Sequence, residues 1–137
     1  MSYPYKTPVA ILGRLLLAAI FLLSPFVNLI PNFGSTVETM RHVGVPAPGL
    51  ALPLAIGMLL VGSASLIVGY RARWGALLLL LFLLAATFYF HVPWQAANAA
   101  EASAQAIHFL KNIGLMGALL LVIVLGPGPG SLDGARE

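Results

Sequence analysis

Residues 50–90 read LALPLAIGMLLVGSASLIVGYRARWGALLLLLFLLAATFYF. Two apolar runs, from about Leu50 to Gly69 and from about Trp74 to Phe90, meet at the short basic turn Tyr70 to Arg73. Each run approaches the ~20 residues that a helix needs to cross a hydrocarbon layer of ~30 Å. A connection this short forces the two helices to run antiparallel, as neighbours.

The same pattern extends on both sides. An apolar stretch from about Val9 to Ile30 follows Pro8, whose missing N–H suits the first turn of a helix, and it stops at Pro31. The breakers Gly44, Pro46, Pro48 and Gly49 precede the second run. A fourth segment starts as an amphipathic helix near Glu101, becomes lipid-compatible from about Ile107 to Leu125, and ends at Gly126, Pro127, Gly128 and Pro129. The expected fold is all-α, an integral membrane antiparallel four-helix bundle with spans at about 9–30, 50–69, 74–90 and 107–125. No internal repeat or linker divides residues 1–137, so one membrane domain is expected. The start of the chain is basic and then apolar, like a signal peptide. The run continues to Ile30, however, with no small-residue cleavage site after a short core, so it reads as the first span.

Composition agrees. Of 137 residues, 60% are hydrophobic and only 8% charged, against a charged share of about 25% in soluble domains. A water-soluble fold of this size could not cover its own surface, and the partner implied is the lipid bilayer. The formal charge is +3, but the seven Lys and Arg residues are scattered singly, so no nucleic-acid partner is expected. With no cysteine, the chain can form no disulfide, dithiol relay or thiolate-ligated metal site.

Positive residues in short loops are retained on the cytoplasmic side. Lys6, the Arg71/Arg73 turn and Arg136 fall on one side of an alternating bundle, whereas Arg41, Glu38 and Glu101 fall on the other. Both termini are therefore expected in the cytoplasm. Lys111 lies near the outer end of the fourth span and runs against this rule unless its long stem snorkels to the interface.

Polar groups inside spans require a reason, because a central charge costs about 2.5 to 3.5 kcal/mol on insertion scales. Arg14 lies about 8 Å below the start of the first span at 1.5 Å per residue. It reads as a snorkelling anchor, the alternative being a bundle-facing group that binds an acidic ligand or a quinone oxygen. Ser24 and Asn28 share a helix face, with Pro25 between them expected to kink the backbone; Pro53 is a second kink candidate. Gly57, Gly62, Ser63 and Ser65, and Gly114 with Gly117, read as close-packing positions. The tail GPGPGSLDGARE is too short and polar to fold alone, and its glycines lack the GKS or GKT ending of a phosphate loop.

The strongest site signal lies at the outer end. His91 and Trp94 close the third span, while Glu101, Gln105, His108 and Asn112 form a polar stripe at the start of the fourth, with Lys111 beside it. His42 falls on the same side. Metal or haem ligation is not expected, since no pair of histidines has i, i+4 spacing within a helix. The candidate cofactor-binding set is His91, Trp94, Gln105, His108, Lys111 and Asn112, expected to line one pocket for a quinone or lipid headgroup. The competing reading makes them separate interfacial anchors.

The stretches GRLLLAAIFLLS (13–24), VETMRHVGVP (37–46), GYRARWGA (69–76), AATFYFHVPW (85–94), IHFLKNIGLMGALLL (107–121) and GPGPGSLD (126–133) together resemble the DoxX family of small four-span bacterial membrane proteins. The resemblance covers nearly the whole chain and implies residence in the bacterial inner membrane. The sequence departs from the family pattern at two places. Pro25 and Asn28 stand where a Gly and a Lys are usual, and Leu59 stands where the second span often carries a Glu ahead of its small-residue pair. The family name derives from a subunit of a terminal quinol oxidase and thiosulfate:quinone oxidoreductase. The resemblance thus implies an accessory or quinone-linked subunit of a membrane oxidoreductase system, with other oxidoreductase subunits or further copies of the chain as partners. Autonomous catalysis is not expected, and no catalytic residue is assigned. The alternatives are a non-catalytic scaffold or assembly factor, and a small lipid-binding protein or transporter.

Overall fold

The computed structural model describes residues 4–135; Arg136, used above for orientation, lies outside them. Helix α1 (Lys6–Ser24) continues through a single π-helical turn (Pro25–Leu29). A short helix α2 (Phe33–His42) follows, then α3 (Pro48–Val68), α4 (Ala72–Phe90), a 3₁₀ turn (Pro93–Gln95) and α5 (Ala99–Leu125). Four of these elements are long and apolar enough to cross a membrane: 6–29, 48–68, 72–95 and 99–125. The architecture is an all-α membrane bundle in which α1 packs on α3, α3 on α4 and α4 on α5.

The core is built from small and medium side chains, among them Ala18, Leu59, Leu66, Ala76, Leu79 and Leu119, all fully buried. Large apolar residues such as Leu16, Leu50, Leu54, Leu110 and Val124 stand exposed on the outer faces. This distribution suits a bundle whose solvent is lipid, because tails as apolar as leucine give no drive to bury it and close backbone approach holds the helices together instead. The closest approach is between α3 and α4. A Cβ on Gly62 would sit 2.6 Å from Leu79 Cγ, and one on Gly75 would sit 2.3 Å from Ser65 Oγ. Gly57, Gly114 and Gly117, expected as packing positions, meet nothing within 4 Å. Spacing marked them as small without marking which face they occupy.

The kink at Pro25 takes the form of the π turn. Proline has no N–H to donate, and the ladder re-forms one residue wider, with Ile30 N donating to Pro25 O at 2.8 Å. The connection between the first and second spans folds into the short helix α2. Its buried Met40 packs this short helix against α3. At the start of α5, Asn98 Oδ1 accepts from Glu101 N at 2.8 Å, while Glu101 Oε2 accepts from Ala97 N at 3.1 Å. Glu101 is therefore engaged as a helix-capping residue rather than as part of a site.

The start of α1 and the end of α5 lie at one end of the bundle, here the terminal end, and the polar tail docks there. Arg14 is only 5% exposed. Its Nη1 donates to Pro127 O at 2.8 Å and Pro129 O at 3.1 Å, and its Nη2 to Gly130 O at 2.7 Å. The guanidinium thus faces the bundle and grips backbone carbonyls; the snorkelling reading is corrected. Further along, Asp133 accepts from Arg71 N and Ala72 N, each at 2.9 Å, and caps the first turn of α4 from outside the helix. Asp133 N in turn donates to Gly69 O at 2.8 Å. Gly69, with φ +71°, leaves no room for a Cβ, which would fall 2.2 Å from Ser131 Cβ.

Candidate ligand site

The opposite end, here the far end, carries α2, the 3₁₀ turn and all three histidines. His91 is the first residue beyond α4, its amide still donating to Thr87 O at 3.1 Å. Its Nδ1 lies 2.9 Å from Gln105 Oε1 on α5. The His108 ring stacks on the His91 ring, with centroids 4.8 Å apart and planes at 28°. One helical turn deeper, Asn112 Nδ2 donates to Thr87 Oγ1 at 2.9 Å, and that hydroxyl donates to Leu83 O at 2.7 Å. Asn112 and Thr87 are both buried. Gln105, His108 and Asn112 thus all turn toward α4, as their helical spacing requires.

A cavity of about 490 Å³ lies in the far half of the bundle, within the usual ~300–1,000 Å³ of small-molecule sites. The end of α1, the π turn, α2, α3 and α4 line it, with walls that include Met58, Phe82 and Ala85 and few polar groups: Ser24, Thr36, Tyr89 and His91. A second, more polar chamber of about 460 Å³ adjoins it, lined by His42, Phe88, Tyr89, Trp94 and Gln95 among others. Tyr89 lines both.

The six residues expected to line one pocket are distributed differently. His91 lines the apolar cavity and Trp94 the second chamber, while Gln105, His108, Lys111 and Asn112 line neither. Gln105 and His108 instead contact His91, one at its Nδ1 and the other at its ring face. Asn112 lies too deep, where Thr87 already satisfies its amide. Lys111, one residue and about 100° around the helix from Asn112, is exposed. Trp94 is largely exposed, its ring edge-on to Phe109 at 5.8 Å. His42 has its closest charged neighbour in Glu38, at 3.6 Å.

Sequence reasoning missed Thr36, Thr87 and Tyr89. Thr87 and Tyr89 sit inside an apolar run, where a lone hydroxyl gives little signal. Thr36 and Met40, one turn apart, would have marked the inner face of α2 had that segment been read as helical. Among the described residues, no group of three His, Asp or Glu side chains is placed to hold a metal ion.

Comparison with known proteins places the chain in a family. The DoxX family model matches residues 9–92, and the SURF4 family model matches the overlapping stretch 52–137. Among curated proteins, the inner membrane protein YphA of Escherichia coli K12 is 32% identical over 123 residues, covering 90% of this chain and 86% of its own length. The inner membrane protein YqjF of the same organism is 31% identical over 123 residues, covering 90% of this chain and 88% of its own. No solved structure gives a significant match. Matched across most of its length to two inner membrane proteins and by the family model across its first three spans, the chain belongs to the DoxX family of membrane proteins.

Proposed function

We propose that this chain is an accessory subunit of an inner-membrane oxidoreductase system, holding a quinone-class amphipath in the far-end cavity and performing no catalysis by itself. The observation that carries the reading is an apolar cavity of about 490 Å³ whose lining includes an imidazole fixed from behind by Gln105 and His108. An aromatic ring with an apolar tail fits such walls, and a single oriented nitrogen at the edge is the kind of polar contact that sets a headgroup's position. Ser24 and Thr36 supply hydroxyls for a second ring oxygen. The site of this proposal is His91, supported by Gln105 and His108, with Trp94 in the adjoining chamber; Lys111 and Asn112 are left outside it. The termini are read as cytoplasmic, on the strength of Lys6, Arg71 and Arg73 at the terminal end.

The test is gentle extraction from native membranes, followed by mass spectrometry and absorption spectroscopy of the bound small molecules. Wild-type protein should carry a quinone-class molecule, in either redox form, and an oxidoreductase subunit. Ala55→Trp, which fills the cavity from α3, should lose the quinone and stay folded. Recovery of bulk phospholipid alone, in equal amount from both proteins, defeats the reading.

A further inference from the structure

The hydrogen bonding around His91 fixes which of its nitrogens carries the proton. An amide oxygen can only accept, so a 2.9 Å contact with Gln105 Oε1 requires the hydrogen on His91 Nδ1. In the neutral ring, Nε2 is then a bare acceptor. Among the described residues, the bond to Gln105 is the only hydrogen bond of the His91 side chain, so none reaches Nε2. The ring cannot readily turn away: His108 stacks against one face, and the bond to Gln105 ties one edge to α5. Nδ1 is engaged with α5 and the two ring nitrogens diverge, so Nε2 is the nitrogen left for a ligand in the cavity that His91 lines.

We infer that the cavity selects amphipaths that donate a hydrogen bond, an aromatic hydroxyl in particular, with His91 Nε2 as the acceptor and Gln105 as the positioning residue that locks the tautomer. The inference rests on the ligand reading of the cavity given above and names the chemistry that reading leaves open. A carbonyl or ether oxygen opposite Nε2 would set two acceptors against each other, whereas a hydroxyl there donates and leaves the Ser24 and Thr36 hydroxyls to any second oxygen. For a quinone-class ligand, the hydroxyl-bearing reduced form is therefore the one retained, and the oxidised form is released.

The probes are 4-nonylphenol and its methyl ether 4-nonylanisole, which share ring and tail and differ in the one donor hydrogen. Binding to the full chain in lipid nanodiscs is measured by calorimetric titration. An unmet acceptor in a dry site weakens binding enough to predict about a tenfold preference for the phenol in the wild type. His91→Phe keeps an aromatic ring to stack on His108 and should bind both probes equally, near the affinity of the ether. Gln105→Leu frees the tautomer and should narrow the preference while leaving the affinity for the ether unchanged. Equal binding of the two probes to wild-type protein overturns the donor selection but leaves a cavity that binds aromatic amphipaths. Binding of neither probe overturns both readings. An undiminished phenol preference in His91→Phe assigns the acceptor elsewhere and also overturns the inference. Far-ultraviolet circular dichroism of each variant confirms that it is folded.

Discussion

Arg14 and Pro127, 113 residues apart in the chain, are joined by a 2.8 Å hydrogen bond from guanidinium to carbonyl. It is one of three such bonds that fasten the polar tail to α1. Proline at 127 and 129 contributes carbonyls without competing N–H groups, and Gly128 and Gly130 take positive φ angles of 78° and 71° that aim them inward. Arg14→Leu should therefore cost about 3 kcal/mol, since it removes charge-assisted bonds and strands the carbonyls they satisfied. Arg14→Lys should recover only part of this, because a single ammonium nitrogen lacks the spread, planar donors with which Nη1 and Nη2 reach three carbonyls. Unfolding in mixed micelles titrated with sodium dodecyl sulfate measures both.

Asp133 offers a separate test of the docked tail. Its carboxylate caps α4 through the Arg71 and Ala72 amides, and capping groups contribute about 0.5 to 2 kcal/mol. Asp133→Ala should speed hydrogen exchange at these two amides and leave the far end unaffected. Equal exchange in variant and wild type would show that the cap does not persist in lipid.

Two pairs of glycines should respond oppositely. Gly62→Ala and Gly75→Ala each drive a Cβ into Leu79 or Ser65 and should destabilise the α3–α4 pair by about 1 to 3 kcal/mol through overpacking. Gly114→Ala and Gly117→Ala enter open space and should be neutral or stabilising by up to about 1 kcal/mol, the helix-propensity gain. A loss of stability at 114 or 117 would reveal a neighbour packed there.

The Thr87–Asn112 bond should show an asymmetry. Asn112→Leu leaves Thr87 its bond to Leu83 O and should cost no more than about 1 kcal/mol, in line with hydrogen bonds measured between spanning helices. Thr87→Val leaves a buried amide with no acceptor in the bundle and should cost more. Thermal unfolding of the two single variants and the double variant separates the coupling from the individual losses.

The four spans were legible because the bilayer imposes one length and one polarity on every crossing, and runs such as Leu77 to Leu84 have no other use. The inner face of α5 was legible for a similar reason: Gln105, His108 and Asn112 repeat at helical spacing, and all three turn toward α4. Depth was not legible. The stripe does not reveal that Asn112 finds Thr87 while Gln105 finds His91, nor that Lys111 stands outside. Helix α2 escaped because its single buried residue, Met40, gives too weak a period to read. The partners of Arg14 escaped because they are backbone atoms, and main-chain carbonyls leave no mark in a sequence.

The tail contact also sets an order of events during synthesis. When α1 enters the membrane, the carbonyls of residues 127–130 have not yet been made, so the Arg14 charge must at first find water or headgroups at the surface. Its buried position becomes available only after α5 is inserted and the chain emerges on the same side as the start of α1. Burial of Arg14 is therefore a late step that waits for residues 127–130. A protein cut short before Pro127 would retain four spans but leave a cation at the terminal end without its acceptors, exposing an incompletely assembled helix to the membrane's quality control.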